Sequence, residues 1–210
     1  MAIVVIGGHS RSVGKTSVVA GVIAAMRERR WTAFKITQYG HGVCSRDGQP
    51  CDCVVDDQEH SFAITEETDR SGESDTSRFL EAGAARSLWV RTRQGFLEEA
   101  MPRVRRELEQ AENAIIESNS VLRYLQPDLY ITVLDPANPD FKASAAEFLD
   151  RADAIILDEP PSGSLAIAPN WDGVALAPIS RGPVFRVHPP EYVTPELIQF
   201  VRQKLADTPC

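Results

Sequence analysis

The sequence predicts a three-layer α/β fold with a mostly parallel sheet covered by helices on both faces, and three observations predict it. An apolar, β-branched run at residues 1–7 ends in glycine and passes through a short polar loop into a helix-forming segment. Short apolar runs and amphipathic segments then alternate along most of the chain. The apolar runs are continuous rather than alternating with polar residues, as expected of strands buried on both faces of a parallel sheet.

Taken in order, residues 1–7 form the first strand and residues 15–29 the first helix, with Val18, Val19, Val22, Ile23 and Met26 at helical spacing. Residues 31–36 then read as a strand, 77–85 as a helix, 87–90 as a strand, 97–110 as a helix and 114–117 as a strand. Two further strands follow at 129–134 and 154–157, with a helix at 141–149 between them. Strands separated by helices imply right-handed crossovers. The chain closes with a helix at 194–205, where Thr194 is the N-cap, Pro195 the first helical residue, and Leu197, Ile198, Val201 and Leu205 the buried stripe. Two stretches break the pattern. Residues 38–74 are polar, rich in Gly, Cys and Asp, and too long for an ordinary connection, so they read as a functional insertion loop. Residues 160–190 hold prolines, glycines and short apolar pieces at 174–176 and 184–187, which read as edge strands and turns.

With 210 residues, 43% hydrophobic and 25% charged, the chain is expected to form one domain spanning 1–210. The 30 acidic residues against 22 basic ones give a net charge of -8, so no positive field is available to neutralise a nucleic-acid backbone, and no nucleic-acid partner is expected. The apolar stretches fall short of the roughly 20 residues that span a bilayer, and the N-terminus lacks the basic start of a signal peptide; a soluble, cytoplasmic protein is expected.

The segment Gly8-His9-Ser10-Arg11-Ser12-Val13-Gly14-Lys15-Thr16 lies between the first strand and the first helix, the context that makes a glycine loop a phosphate cradle. Unpaired N–H groups at a helix N-terminus, aided by the helix dipole, favour an anion. Gly8, Ser12, Val13, Gly14, Lys15, Thr16 and Ser17 are therefore the candidate contacts to a nucleoside triphosphate. Lys15 is expected to neutralise the β and γ phosphates, and the Thr16 hydroxyl to bind Mg²⁺. The spacing departs from the usual one. Five residues rather than four separate Gly8 from Gly14, with His9 where the first glycine normally stands.

That loop, ending Val13-Gly14-Lys15-Thr16, resembles the phosphate loop of dethiobiotin synthetase. It places the chain beside the dimerising class of phosphate-loop proteins, the SIMIBI class, which includes nitrogenase iron protein and the nickel-insertion GTPases. Lys35 after the second strand, with Gly72-Glu73-Ser74-Asp75-Thr76-Ser77-Arg78-Phe79-Leu80-Glu81-Ala82-Gly83-Ala84, resembles the adaptor of molybdopterin-guanine dinucleotide biosynthesis. This resemblance covers about residues 2–118. Beyond it, Pro127-Asp128-Leu129 and residues 151–157 look like later strands of the nickel-insertion GTPases. The resemblance implies that Asp75 holds Mg²⁺ or its water, and that a homodimer forms. Glu117, at the end of a buried strand, can accept from metal-bound water or orient an attacking group, and Lys35 supplies a second cation. Each has a plainer alternative: Asp75 as an N-cap, Lys35 as a solvated strand end, Glu117 as the partner of a helix N-terminus. Asp56 and Asp57 compete with Asp75 for the metal. The base is ATP's or GTP's; the guanine-reading Asn-Lys-x-Asp is replaced by Leu157-Asp158-Glu159-Pro160.

Three functions remain open at this level: a Mg²⁺-dependent accessory NTPase of cofactor biosynthesis, an ATP-dependent small-molecule kinase or ligase, and a nucleotide-switched metal carrier. The last rests on Cys44, Cys51 and Cys53, which lie between His41 and His60 in the insertion. Thiolate and imidazole suit Zn²⁺, redox chemistry and unliganded thiols being the alternatives, and a polar loop this long has little apolar surface to order it. The prediction is about one thiophilic ion per chain, bound by the three cysteines with His41 or His60 and lost in Cys51→Ser and Cys53→Ser. Elemental analysis of untagged protein checks it; freely reactive thiols and no metal in the wild type would remove the site.

Overall fold

The computed structural model describes residues 1–39, 61–158, 171 and 182–206. Eight strands form one sheet in the order β3-β4-β2-β5-β1-β6-β7-β8. They are β1 (Ile3–Gly8), β2 (Trp31–Tyr39), β3 (Phe62–Glu66), β4 (Arg86–Arg93), β5 (Asn113–Glu117), β6 (Leu129–Leu134), β7 (Ala154–Asp158) and β8 (Val184–Val187). Every pairing is parallel except that of β3 with β4 at one edge.

The helices are α1 (Lys15–Ala25), α2 (Asp75–Ala82), α3 (Leu97–Glu109), α4 (Ala143–Ala146) and α5 (Pro195–Ala206). One face of the sheet, through Val4, Ile6, Ala33, Ile115 and Ile131, packs against Val18, Val22 and Ile23 of α1, Phe79 and Leu80 of α2, and Leu197 and Val201 of α5. The opposite face, through Val5, Phe34, Leu88, Val90 and Ile116, receives Leu97, Met101, Val104 and Leu108 of α3. Each such side chain contributes about 1.5–3 kcal/mol when fully buried, so the two cores fix which strand ends meet.

The three-layer α/β reading holds, with local corrections. The helix expected at 141–149 shrinks to α4 followed by a 3-10 turn at Leu149–Arg151. The reason at its start is tertiary: Phe141 stacks on His9 and Trp171, and Lys142, bonded through its N–H to the His9 carbonyl, is extended and caps the helix, which begins only at Ala143. The stretch read as an unbroken loop over 38–74 carries the end of β2 and the edge strand β3. Three of the five residues of β3 are exposed, so it lacks the apolar run of a buried strand. The first helix stops at Ala25, and Arg30 (φ 51°) turns the chain into β2. Residues 174–176 lie outside the described residues.

Phe79 joins α2 to the sheet and is fully buried. Phe79→Ala is expected to lower unfolding stability by about 3–5 kcal/mol, read from the midpoint of chemical denaturation. A loss below about 1 kcal/mol would mean that α2 does not depend on this contact.

Candidate phosphate and metal site

The loop between β1 and α1 is held at both ends. At its start, Gly8 donates its N–H to Asn119 Oδ1 (2.9 Å) and accepts from Asn119 Nδ2 (2.8 Å), so one amide side chain clamps both polar groups of a residue 111 positions away. A Cβ on Gly7 would lie 2.2 Å from that same Oδ1. At its end, Val13 is buried in the core, while Ser12 (φ 56°) and Gly14 (φ 88°) adopt left-handed conformations that turn the chain into α1. The ring of Tyr192 lies so close to Gly14 that a Cβ there would be 2.1 Å from it. The first bond of α1 runs from Val18 N–H to the Gly14 carbonyl (3.0 Å). The N–H groups of Lys15, Thr16 and Ser17 thus belong to the turn that has no helical acceptors, where an anion is favoured. Lys15 Nζ donates to the Ser10 carbonyl (2.5 Å), and burial pushes its ammonium down to about 8.

The extra residue of the loop is absorbed by its first half. His9 is completely buried, with Phe141 and Trp171 at ring-centroid distances of 5.3 and 4.9 Å. Its Nδ1 accepts from Asp135 N–H (3.4 Å), which assigns the proton to Nε2, facing the Asn138 carbonyl (3.3 Å). Burial holds this imidazole below its ordinary value and so neutral. Ser10 Oγ donates to Asp140 Oδ2 (2.6 Å). The segment 135–142 is thereby fastened to the loop.

Parallel register brings the remaining predicted residues together: Ile6 of β1 pairs with Glu117 of β5, and Glu117 pairs with Lys35 of β2. Lys35 Nζ contacts Glu117 Oε1 at 2.5 Å, Asp75 Oδ2 at 2.8 Å and Thr16 Oγ1 at 3.4 Å. Thr16 Oγ1 in turn donates to Glu117 Oε2 (2.9 Å). Burial alone would depress Lys35, but Glu117 and Asp75 outweigh it and raise the ammonium above its usual value. Asp75 is the mirror case: burial pushes it up, and the Lys35 charge and hydrogen bond hold it below the ordinary carboxylate range.

These contacts decide between the alternatives for two residues. The N-cap of α2 is Ser74, whose side chain accepts from Ser77 N–H, so Asp75 is free of that task. Lys35 is not a solvated strand end, since its ammonium lies among carboxylates. Glu117 does bond to the first turn of α1, through Thr16, so its structural and chemical readings coincide. Ser17 Oγ accepts from Arg78 (3.1 Å), which turns its hydroxyl toward α2.

Thr16, Asp75 and Glu117 offer a hydroxyl and two carboxylates, the hard oxygen set that suits Mg²⁺, and one cation already sits among all three in Lys35. Among the described residues no group of three or more His, Cys, Asp or Glu side chains is placed to hold a metal. His41, Cys44, Cys51, Cys53, Asp56, Asp57 and His60 lie outside the described residues. No helix among the described residues is long and apolar enough to cross a membrane. Asn119, Asp140, Lys142 and Tyr192 escaped sequence reading: each reaches the loop through contacts that no local spacing marks.

A buried parallel strand, a loop turning through left-handed residues, and a helix opening on Lys-Thr beside a strand-end carboxylate make one recognisable unit. The fold is a three-layer α/β one in which this unit stands at the centre of the sheet. No family model matches the chain, and no curated protein matches it. Among solved structures it is similar to HypB from Helicobacter pylori in complex with nickel, at 13% identity and TM-score 0.45, covering 98% of this chain and 86% of that one. It is also similar to LpxK from Aquifex aeolicus in its "apo" form in complex with ATP, at 16% identity and TM-score 0.45, covering 89% of this chain and 53% of that one. At such values neither likeness carries an argument about activity.

Lys15→Ala is expected to abolish binding of Mg–ATP and Mg–GTP while leaving the unfolding transition in place, because among the described residues the hydrogen bond of the ammonium is to a loop carbonyl. Isothermal titration beside circular dichroism checks this. Unchanged affinity in a folded mutant would remove the phosphate site.

Proposed function

We propose that this protein is a Mg²⁺-dependent nucleoside triphosphatase, taking ATP or GTP at the loop 8–16 and serving as an accessory NTPase in the biosynthesis of a cofactor. The observation that carries the proposal is the convergence of Thr16, Lys35, Asp75 and Glu117 from α1, β2, α2 and β5 on one point at the mouth of the loop. Thr16, Asp75 and Glu117 would hold Mg²⁺, which would neutralise charge on the phosphate oxygens. Lys15 holds the β and γ phosphates against the free N–H groups of the first helical turn. Glu117 accepts a hydrogen bond from the attacking water. The water oxygen bonds to the γ phosphorus, the bond to the β–γ bridging oxygen breaks, and that electron pair leaves with the nucleoside diphosphate. The water's proton passes to the Glu117 side and on to solvent. Action as a homodimer in the cytoplasm completes the proposal.

A second reading, phosphoryl transfer or ligation onto an acidic small molecule, is favoured by the sheet face beside Lys35. Trp89 pairs with Lys35 across β4 and β2, its Nε1 donates to Thr37 Oγ1 (3.1 Å), and the Arg91 guanidinium stacks over its ring at 4.6 Å. Such a polar, aromatic platform beside the terminal phosphate suits an acceptor carrying a carboxylate. The metal-carrier reading rests wholly on residues 41–60.

The test is phosphate release from ATP and GTP with Mg²⁺ in wild type and Glu117→Gln. The mutant is expected to bind nucleotide within a few-fold of wild type and to turn over about 10²-fold more slowly, the scale of a positioned acid–base group. Equal turnover would make Glu117 structural. Wild-type protein that neither releases phosphate nor passes it to an acidic acceptor would overturn the proposal.

A further inference from the structure

The segment that fastens the first half of the loop also delivers a cation that the reaction described above does not use. Lys142 follows Phe141, whose ring is stacked against His9, and its backbone N–H bonds to the His9 carbonyl at 2.9 Å. Two residues earlier, Asp140 accepts from Ser10 Oγ at 2.6 Å. Two Asx turns stiffen the same segment, with Asp135 Oδ1 accepting from Ala137 N–H and Asn138 Oδ1 from Asp140 N–H. Trp171 Nε1 pins the Asn138 carbonyl (2.8 Å). The position of Lys142 relative to the loop is therefore set by backbone and buried side-chain bonds, not by chance packing.

Its side chain is half-buried, and among the described residues its ammonium makes no ion pair or hydrogen bond. The charges that act on it are Arg11, Asp140, Lys35 and Glu117, and it acts in turn on Lys15. Lys35 and Glu117 are the groups beside the metal oxygens. With its backbone bonded at His9 and its ammonium acted on by both Lys35 and Glu117, Lys142 stands on the same side of the loop's first half as the metal-suited oxygens. Burial first, and then Arg11 and Lys35, lower its ammonium, so the folded protein holds a cation short of an anionic partner. Of the two carboxylates that act on it, Asp140 is already engaged by Ser10 and Glu117 by Lys35 and Thr16.

We propose that Lys142 is a further phosphate-contacting residue of the site, a cation supplied by the same chain that touches the γ-phosphoryl oxygens of the bound triphosphate and distinguishes triphosphate from diphosphate. The inference rests on the phosphate-loop reading and adds a residue to it. Charge on the three γ oxygens is largest as the bond to the bridging oxygen loosens, and a preplaced cation acts there without rearrangement. A diphosphate, ending one group short, does not reach it. Lys142 is a specificity residue for the γ-phosphate and, where turnover occurs, a catalytic one.

The experiment uses the full chain with Mg²⁺ and measures binding of the non-hydrolysable imido analogues of ATP and GTP, and of ADP and GDP, to wild type, Lys142→Met, Lys142→Arg and Lys15→Ala. Any residue except proline can donate the bond to His9, so the Met and Arg variants keep the segment in place. Lys142→Met is expected to lower triphosphate affinity about 10-fold or more with diphosphate affinity within about 2-fold of wild type, and Lys142→Arg to restore most of the difference, the scale of one charge-assisted contact. A Lys142→Met protein that keeps the wild-type preference for triphosphate, while Lys15→Ala loses both ligands, overturns the role of Lys142 alone. Equal loss of triphosphate and diphosphate in Lys142→Met also overturns it, since a γ-specific contact cannot act on a ligand without that group. Wild-type protein that binds none of the four nucleotides overturns the phosphate-loop reading itself, and this inference with it.

Discussion

The ion pair between Lys35 and Glu117 is the contact on which the organisation of the site depends. Glu117 is buried and Lys35 nearly so, at directly paired positions on neighbouring parallel strands. Taking both charges out of water is costly, and the cost is offset only because the carboxylate also accepts from Thr16 while the ammonium also reaches Asp75. Neither residue can then be moved independently. A one-residue slip of β2 against β5 would send Lys35 to the face packed by α3 and leave Glu117 with an unmatched charge among apolar side chains. The pair therefore reports strand register, helix placement and site geometry together: β5 must stand between β1 and β2, and the first turns of α1 and α2 must face each other across the pair. The contacts of α1 with α2, through the core that includes Phe79 and Val18, supply that placement.

The longer loop has a physical account once the first half is seen as anchored. A glycine at position 9 would allow the chain to run past without a side chain; a histidine must put its ring somewhere, and here the ring enters a pocket of Phe141 and Trp171. Both ring nitrogens find backbone partners there, so the burial of a polar ring leaves no orphaned group. Ser10, held by Asp140, keeps its carbonyl directed at Lys15. The second half is anchored differently, by Val13 in the core and by the aromatic cover of Tyr192 on Gly14.

How much of this was legible in the sequence follows from the range of each interaction. The unit of β1, loop and α1 could be read because its signals lie within about two dozen consecutive residues: an apolar run, glycines, Lys15-Thr16 and a helical stripe. Glu117 and Lys35 were legible as polar residues at the ends of apolar strands, and Asp75 by its place before a helix and by resemblance; that all three share one ammonium was not, because it depends on strand order. Asn119 bonds to Gly8 across 111 positions, with nothing in its neighbourhood to distinguish it from a turn residue. Lys142 was hidden more thoroughly, since the local pattern of residues 141–149 favoured a helix beginning with Phe141. Stacking of Phe141 on His9 overrode that preference, and the same override carries Lys142 to the loop. The edge strand β3 was missed because exposed edge strands alternate weakly and carry charge, as Glu66 does in its pair with Arg86.

The anchoring on both sides has an energetic consequence for any anion that enters. A loop that had to be ordered on binding would spend part of the interaction energy on lost backbone freedom, on the order of 1–2 kcal/mol per residue fixed. Here residues 8–14 are already bound to Asn119, Asp140, Lys142 and the core, so little of that cost is left to the ligand. What the fold bears instead is electrostatic: Lys15 and Lys142 are both held below their ordinary values by burial, and the charge of Lys142 lowers Lys15 further. That repulsion is a cost to the folded state which a phosphate reverses in sign, because an anion between two ammonium groups attracts both. A site fixed in this way binds by removing a strain already present rather than by building new order, and its affinity then depends on the charge of the ligand more than on its size.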